Sequence, residues 1–145
     1  MTTASGDRAG DARPFRFGVR VYYEDTDAAG VVYYANYLKF MERARTEWLA
    51  AKGFPLAAFE REHGVVFVVH RCEIDFRRPA RLNDDLVVTV EALHRGASRL
   101  LARQEVRRGD EILTTARVTL ACVDATRWRP VRIPAALAAT LEISA

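Results

Sequence analysis

The sequence of 145 residues is half hydrophobic and 28% charged, an ordinary composition for one globular domain that leaves no room for a second. Its formal net charge of +3 comes from dispersed arginines, because Lys39 and Lys52 are the only lysines. No basic run is interleaved with aromatic residues, which argues against nucleic-acid binding. No stretch approaches the ~18 consecutive apolar residues of a membrane span, so we expect no membrane insertion.

The N-terminal segment, residues 1–14, is polar with dispersed charge and lacks the apolar core of a signal peptide. We predict that residues 1–14 form a disordered tail and that residues 15–145 form one domain. Without a targeting segment, the expected location is the cytoplasm.

The cysteines and histidines predict no metal site. Cys72 and Cys122 each stand within an apolar strand pattern, so we expect two buried free thiols rather than a disulfide or a pair of metal ligands. The three histidines, His63, His70 and His94, lack the spacing of metal ligands.

The first predicted element is a half-buried strand over residues 15–23, where apolar side chains alternate with polar or small ones. Its apolar face consists of Phe15, Phe17, Val19, Val21 and Tyr23. The strand delivers Tyr23 to the acidic loop that follows, so we count Tyr23 among the candidate catalytic residues.

The acidic loop places three carboxylates within four residues, at Glu24, Asp25 and Asp27, beside small residues and several tyrosines. A carboxylate that is partly removed from water in such a setting is a candidate base or nucleophile. Alternatively, Asp25 and Asp27 only cap the turn and favour the positive end of the next helix. From the residues alone, both interpretations stay open.

A long helix is predicted after this loop, because apolar residues recur at helical spacing and charged residues fall on other faces. Asn36 is its predicted N-cap and Gly53 its left-handed C′ residue, while Pro55 prevents continuation. The apolar stripe contains Tyr37, Met41, Ala44 and Trp48, and it is widened by Leu38, Phe40 and Leu49. We expect Met41, Ala44, Trp48 and Leu49 to lie in the core.

The rest of the chain is predicted to be mainly strands. Residues 54–64 form a connector with a short helical turn, and Pro134 stands near the start of a short last helix. Strands are predicted over residues 65–76, 86–95, 98–108 and 111–124. The short turns at Gly96 and at Gly109 favour antiparallel meander pairing. The predicted fold class is therefore α+β, an antiparallel sheet with one long helix packed on it, with the topology left open.

The stretch YYEDTDAAGVVYYANYLKFMERARTEWL resembles the signature of the hotdog-fold acyl-CoA thioesterases. The similarity is greatest to the branch that contains the Tol-Pal-associated and the 4-hydroxybenzoyl-CoA thioesterases. It covers roughly residues 16–135 and includes the later segments FVVHRCEIDFRRPARLNDDL and TARVTLACVD. The resemblance implies a β-sheet wrapped around one long central helix, the hotdog fold, and hydrolysis of acyl-CoA to a free acid and coenzyme A.

Carried over by position, the family's catalytic carboxylate falls at Asp27, which acts as nucleophile or general base. The main-chain N–H that polarises the thioester carbonyl falls at Tyr34, where the helix is expected to begin. Many Tol-Pal-associated members have histidine at this position and the hydroxybenzoyl-CoA branch has tyrosine, but a backbone N–H does not depend on the side chain. The resemblance also implies a homo-oligomer, a dimer or tetramer, with the active site between subunits.

Coenzyme A would be part of the substrate, and we expect no other cofactor. Its phosphates require positive charge, for which arginine offers bidentate contacts. The candidates form two groups in the sequence: Arg77, Arg78 and Arg81 around Pro79, and Arg95 and Arg99 around Gly96.

Three other functions agree less well with the sequence. A serine hydrolase is disfavoured because none of the serines stands in a G-x-S-x-G elbow. A hotdog dehydratase would use a catalytic histidine near the helix, and the sequence has none there. A non-catalytic acyl-CoA-binding protein of the same fold would have no need of a carboxylate facing the thioester.

Overall fold

A computed structural model of the protein describes residues 14–141, so the predicted disordered tail lies outside the described residues except for Pro14. Within this range the strands are β1 (Phe15–Arg20), β2 (Val65–Phe76), β3 (Asp85–Arg95), β4 (Arg99–Arg108) and β5 (Glu111–Asp124). The helices are α1 (Asn36–Ala51), α2 (Leu56–His63) and α3 (Ala135–Thr140), and a single 3-10 turn covers Tyr23–Asp25. The predicted α+β class is confirmed.

The strands form one antiparallel sheet in the order β1-β3-β4-β5-β2. The predicted meander is confirmed for β3, β4 and β5, which the two short turns connect. β1 and β2 lie on opposite edges, so the segment between β2 and β3 has to cross the molecule. On the way, Ala80 is fully buried and its N–H donates to the hydroxyl oxygen of Tyr37 on α1, at 3.0 Å.

Helix α1 packs on β1, β3 and β4. The predicted core residues Met41, Ala44, Trp48 and Leu49 are all buried, together with Tyr37 and Phe40. Leu38, which widens the apolar stripe in the sequence pattern, has a side chain that is 47% exposed. Leu38 lies on a flank of the helix that the sheet does not cover. The helical period of the sequence does not show how wide the covered stripe is.

The two ends of α1 differ in how well they were predicted. Gly53 has φ +96° and its N–H donates to Ala50 O, while Phe54 N–H donates to Leu49 O, which is the Schellman arrangement expected of a C′ glycine. Asn36 is not the N-cap, because it is the first helical residue and follows Ala35 in the cap position. Its side chain instead donates a hydrogen bond to Asp25.

A fully buried amide side chain joins α1 to the sheet. The Gln104 side chain on β4 donates to Met41 O at 3.1 Å and to Thr89 O at 3.3 Å, and it accepts a hydrogen bond from Arg45 at 2.9 Å. Burial lowers the pKa of Arg45. The guanidinium therefore depends on Gln104 for a neutral acceptor beneath the helix.

Strand β2 forms an edge of the sheet and is exposed from Val69 to Glu73. Cys122, on β5, is buried as predicted, and burial raises its pKa to about 11. The prediction of burial was wrong for Cys72, which pairs with Val118 on the edge strand β2 and is exposed. Both thiols are free.

The remaining helices agree in outline with the sequence pattern. The connector contains a full helix, α2, rather than a single turn, and it ends at Gly64 with φ +66°. α3 follows directly after Pro134, as predicted. In the described part of the chain, no helix combines the length and the apolar composition that a membrane span requires.

Candidate active site

The acidic loop closes as a short hairpin between β1 and α1. Thr26 pairs with Val32, and Asp27 N–H donates to Val31 O at 2.9 Å. Gly30 N–H donates to Asp27 O at 3.0 Å, and the φ of +81° at Gly30 is the left-handed conformation that suits glycine at such a turn. Asp27 therefore stands on one arm of the hairpin, and the other arm leads directly to the start of α1.

The carboxylate of Asp27 is only partly engaged. Its Oδ1 accepts a hydrogen bond from Ala29 N–H at 2.8 Å, which is an Asx-turn. Within the described range, no donor is found for its Oδ2, and the residue is exposed in the single chain. One oxygen thus caps the turn and holds the side chain in place, while the other is available for chemistry. The two interpretations of the sequence therefore do not exclude each other.

Asp25 is the buried acid of the loop, with 7% of its surface exposed, whereas Glu24 and Asp27 are exposed. Its Oδ2 accepts Tyr22 N–H at 2.8 Å and its Oδ1 accepts Asn36 Nδ2 at 2.9 Å. The expectation of one partly desolvated carboxylate is met by Asp25, but its oxygens are used for internal hydrogen bonds.

Unpaired backbone donors lie where the loop enters α1. Tyr34 and Ala35 precede the first helical residue, and Ala35 already has helical dihedrals of φ −69° and ψ −20°. Among residues 14–141, no acceptor is found for the N–H of Tyr34 or of Ala35. Because the positive end of the helix dipole adds to these donors, an oxyanion would be stabilised there.

A pocket of about 230 Å³ lies beside Tyr34. Its walls are largely apolar and combine the hairpin, α1 and the end of β2; they comprise Val32, Tyr34, Tyr37, Phe76, Arg77, Arg78 and Pro79. The ring of Phe76 stands edge-on to Tyr34, at 6.2 Å between centroids, and it is 5.6 Å from Tyr37. Burial is the main cause that raises the pKa of the Tyr37 phenol, which keeps it neutral. The pocket suits a small apolar group.

Three of the five candidate arginines lie near this pocket. Arg77 and Arg78 line it, and Arg81 pairs with Val31 of the hairpin. Arg78 forms an exposed ion pair with Glu111 at 3.3 Å. For the side chains of Arg77 and Arg81, the described residues provide no ion-pair partner, so these two cations are available for a ligand.

Arg95 and Arg99 lie at the other end of the sheet. Arg95 is the last residue of β3, whose first residue, Asp85, adjoins the loop; ten residues at ~3.3 Å each separate the two ends by about 30 Å. A single chain therefore does not bring the two arginine groups together.

The sequence pattern predicts that the first strand continues to Tyr23, which makes Tyr23 a candidate catalytic residue. The strand ends at Arg20, and Tyr23 begins the 3-10 turn with 82% of its surface exposed. Its side chain does not line the pocket. The alternation ends after Val21, because Tyr22 N–H donates to the Asp25 carboxylate within the loop and a 3-10 turn begins at Tyr23.

An ion-pair network supports the crossing segment under the pocket. Arg108 donates to Asp84 at 2.7 Å and to Glu111 at 2.8 Å. Burial acts to raise the pKa of Asp84, but hydrogen bonds from Arg81 N–H and from Arg108 outweigh it and hold the pKa below its usual value. The segment that carries Arg77, Arg78 and Arg81 is thereby fixed to the sheet.

The sequence did not reveal the partners that complete the site. The sequence pattern predicts only a cap role for Asn36 and indicates no role for Val32, Phe76 and Pro79, which form pocket walls. The only signal was positional, since Phe76 and Pro79 flank the two arginines in FRRP.

A five-stranded antiparallel sheet with one long helix packed against it, and an acidic hairpin at the beginning of that helix, is the arrangement of a hotdog-fold protein. The chain belongs to the thioesterase-like superfamily, whose family model matches residues 21–141. This confirms the resemblance seen in the sequence.

Several relatives support the same assignment. The acyl-CoA thioesterase YbgC of Haemophilus influenzae is 44% identical over 120 residues, which cover 83% of this chain and 88% of the relative. The acyl-CoA thioester hydrolase YbgC of Escherichia coli is 42% identical over 129 residues, covering 88% and 96%. Among solved structures, a probable thioesterase from Bartonella henselae has a TM-score of 0.79 at 36% identity and covers 84% of this chain and all of that one, 100%.

Proposed function

We propose that this protein hydrolyses acyl-CoA thioesters to a free acid and coenzyme A. The proposal has two supports: the names of relatives at 42% and 44% identity over most of the chain, and the geometry of the hairpin. The observation that carries it is one loop that holds both the Asp27 carboxylate and the Tyr34 N–H beside an apolar pocket, with no partner among residues 14–141 for the Asp27 Oδ2 or for that N–H.

In the proposed reaction, the acyl group enters the pocket and its carbonyl oxygen accepts a hydrogen bond from Tyr34 N–H. This donor stabilises the negative charge that develops on the oxygen when the carbonyl carbon is attacked. Asp27 either attacks that carbon itself, forming a mixed anhydride that water opens, or removes a proton from an attacking water. In both routes the C–S bond breaks and coenzyme A leaves as a thiol or thiolate.

The competing functions lack such support. None of the three histidines lines the pocket, as a dehydratase would require. A simple acyl-CoA-binding protein gains nothing from a free carboxylate oxygen next to the carbonyl.

A thiol-release assay with the purified protein tests the function directly. Acetyl-, butyryl-, benzoyl- and palmitoyl-CoA are hydrolysed in the presence of a thiol reagent, and kcat/KM is compared. Because the pocket holds only about 230 Å³, short or aromatic acyl groups should be preferred over the long chain. Absence of thiol release with every substrate would refute the proposal, and a maximum for palmitoyl-CoA would refute the preference.

We propose that Arg77 and Arg81 bind the phosphates of coenzyme A. Arg77→Ala or Arg81→Ala should raise KM for acyl-CoA several-fold and change kcat less. The reason is that each variant removes a phosphate contact that stabilises the bound substrate and the transition state equally. The effect should shrink with acyl-pantetheine, which lacks the nucleotide. Arg43→Ala, which removes an exposed arginine from α1, serves as the control. Equal losses on both substrates would contradict this assignment.

A homodimer is the proposed minimum unit, with a tetramer as a further assembly. β2 is a long edge strand, so one side of its backbone is available for antiparallel pairing with a second copy. Val69 on this strand is 52% exposed, and such pairing would cover it. The exposed rings of Tyr34 and Phe76 lie at the same side of the molecule, next to the pocket. A partner would cover them and shield the site from water.

Sedimentation velocity at several protein concentrations, combined with kcat per chain, checks the assembly. We expect no folded monomer at the concentrations used in assays. A monomer that is both folded and fully active would show that the site is complete in one chain.

The cytoplasmic location and the absence of a separate cofactor stay predictions. The two free thiols are the usual state of cysteines in a reducing compartment, which supports the first.

A further inference from the structure

Asp25 links the two arms of the acidic hairpin, which carry the reacting groups. Through Oδ2 it holds Tyr22 N–H, at the end of the segment that leads from β1 into the loop, and through Oδ1 it holds the side chain of Asn36, the first residue of α1. Its own carbonyl oxygen accepts Tyr33 N–H at 2.9 Å. These three contacts join both sides of the hairpin at its base.

The position of this junction relates it to the chemistry. Asp27 follows Asp25 by two residues, and Tyr34 lies between the two residues that Asp25 holds on the helix side, Tyr33 and Asn36. The Asp25 junction is therefore the cross-link of the hairpin that lies next to Tyr34, whereas the bond from Asp27 N–H to Val31 O lies farther from it along the chain. The Asx-turn at Asp27 and the turn at Gly30 fix the outer end of the hairpin, and the Thr26–Val32 pair joins its middle, so the base next to Tyr34 depends on Asp25.

Burial makes the junction rigid. Asp25 is 7% exposed, so water does not replace a lost partner easily, and an unsatisfied buried carboxylate or amide costs more than the bond itself contributes. A carboxylate can accept both hydrogen bonds at once, whereas an amide in its place offers one oxygen and one NH₂ group. The chemistry of the site thus requires an acceptor-only side chain opposite Asn36.

We propose that Asp25 and Asn36 form a positioning pair that sets the distance between the Asp27 carboxylate and the Tyr34 N–H. Neither side chain contacts the substrate. The inference rests on the proposed function, because it assigns these two residues to the alignment of that site.

An exchange of the two side chains tests the pair. Asp25→Asn places an NH₂ group against either Tyr22 N–H or the Asn36 amide, and Asn36→Asp places two carboxylates face to face. In the double variant Asp25→Asn/Asn36→Asp, the asparagine oxygen accepts Tyr22 N–H and its NH₂ donates to the new aspartate. Both hydrogen bonds and the net charge are restored.

Each single variant should lower kcat by roughly 10-fold to 100-fold, the scale expected when reacting groups are displaced by a fraction of an ångström to one ångström. The double variant should return to within about threefold of the wild type, by the logic of a double-mutant cycle. The dissociation constant for S-butyl-coenzyme A, a thioether with no carbonyl, should stay within about twofold in all three, because it needs no alignment of the reacting groups.

Glu24→Gln is the matched control, since Glu24 is an exposed acid of the same loop with no hydrogen-bond partner found among the described residues. Its kcat should equal that of the wild type. If Asp25→Asn fails to fold, Asn36→Ala removes the same side-chain bond while Tyr22 N–H keeps its acceptor, and it should show the same loss of kcat.

Three results would overturn the proposal: folded single variants with wild-type kcat, a loss in S-butyl-coenzyme A binding as large as the loss in kcat, or a folded double variant without recovery. Failure of the proposed function is distinguishable, because then the wild type releases no thiol or Asp27→Asn remains active in the same assay. If the wild type is active, Asp27→Asn is inactive and the folded double variant does not recover activity, only the proposal of the positioning pair is refuted.

Discussion

Replacing Asp27 with asparagine should lower kcat for acyl-CoA hydrolysis by about 100-fold or more and leave the fold intact. The amide cannot attack the thioester or remove a proton from water, so the contribution of a carboxylate to the chemical step is lost. The fold should persist because the asparagine oxygen can still accept Ala29 N–H in the Asx-turn and the residue is exposed. Steady-state kinetics and circular dichroism measure the two effects.

The loop offers a matched comparison for this variant in Glu24→Gln, which removes one negative charge three residues away and should keep full activity. A nearly normal kcat for Asp27→Asn would refute the assignment of the reacting carboxylate. Equal losses for both variants would instead indicate that the charge of the loop matters more than this one side chain.

The fate of oxygen distinguishes the two routes open to Asp27. In a single turnover in heavy-oxygen water, attack by Asp27 followed by hydrolysis at its own carboxyl carbon leaves the heavy atom in the enzyme, and the acid product carries an oxygen from Asp27. If Asp27 acts as a base, the heavy atom enters the acid product. Mass spectrometry of the peptide that contains residue 27 identifies the first route.

The second large effect is expected on stability. Gln104→Leu should lower the free energy of unfolding by about 2–3 kcal/mol, the scale of a lost hydrogen bond to a charged group, because Arg45 loses its acceptor beneath α1. Urea unfolding at one fixed protein concentration gives this value, since an oligomer has a concentration-dependent stability.

The double variant Arg45→Met/Gln104→Leu tests whether the loss of stability comes from the Arg45 guanidinium that has lost its acceptor. It should recover most of the stability, since replacing both partners with apolar groups of similar size removes the unpaired charge. A double variant as unstable as Gln104→Leu would show that the lost bonds to Met41 O and Thr89 O are the cause instead.

The local elements were largely predictable from the sequence, because each depends on neighbouring residues. The bounds of β2 and β5 follow from β-branched runs and turn residues, and Gly53 marks the end of α1. Periodicity does not show where an element lies in the sheet. Cys72 is exposed on the edge strand β2, and the edge position is known only from the strand order, while the exposure of Leu38 depends on how α1 is seated on the sheet.

The candidate site was also only partly predictable from the sequence. A resemblance supplied Asp27 and the Tyr34 N–H, and the unpaired state of that N–H agrees with it, but the residue roles stay predictions. Asn36 was misassigned because an asparagine at the beginning of a helix usually caps its own backbone, and its use by the distant Asp25 is a tertiary contact. Arg95 and Arg99 were grouped with the site because a sequence shows no distances.

The strand order also has a consequence for how the chain folds. β3, β4 and β5 are joined by short turns and can pair early, whereas β1 and β2 must each find a partner far along the chain, β3 and β5. The acidic hairpin is attached to β1 and to the crossing segment, so it should gain its structure late, after the rate-limiting barrier. Substitutions in the hairpin should therefore accelerate unfolding and leave the refolding rate almost unchanged.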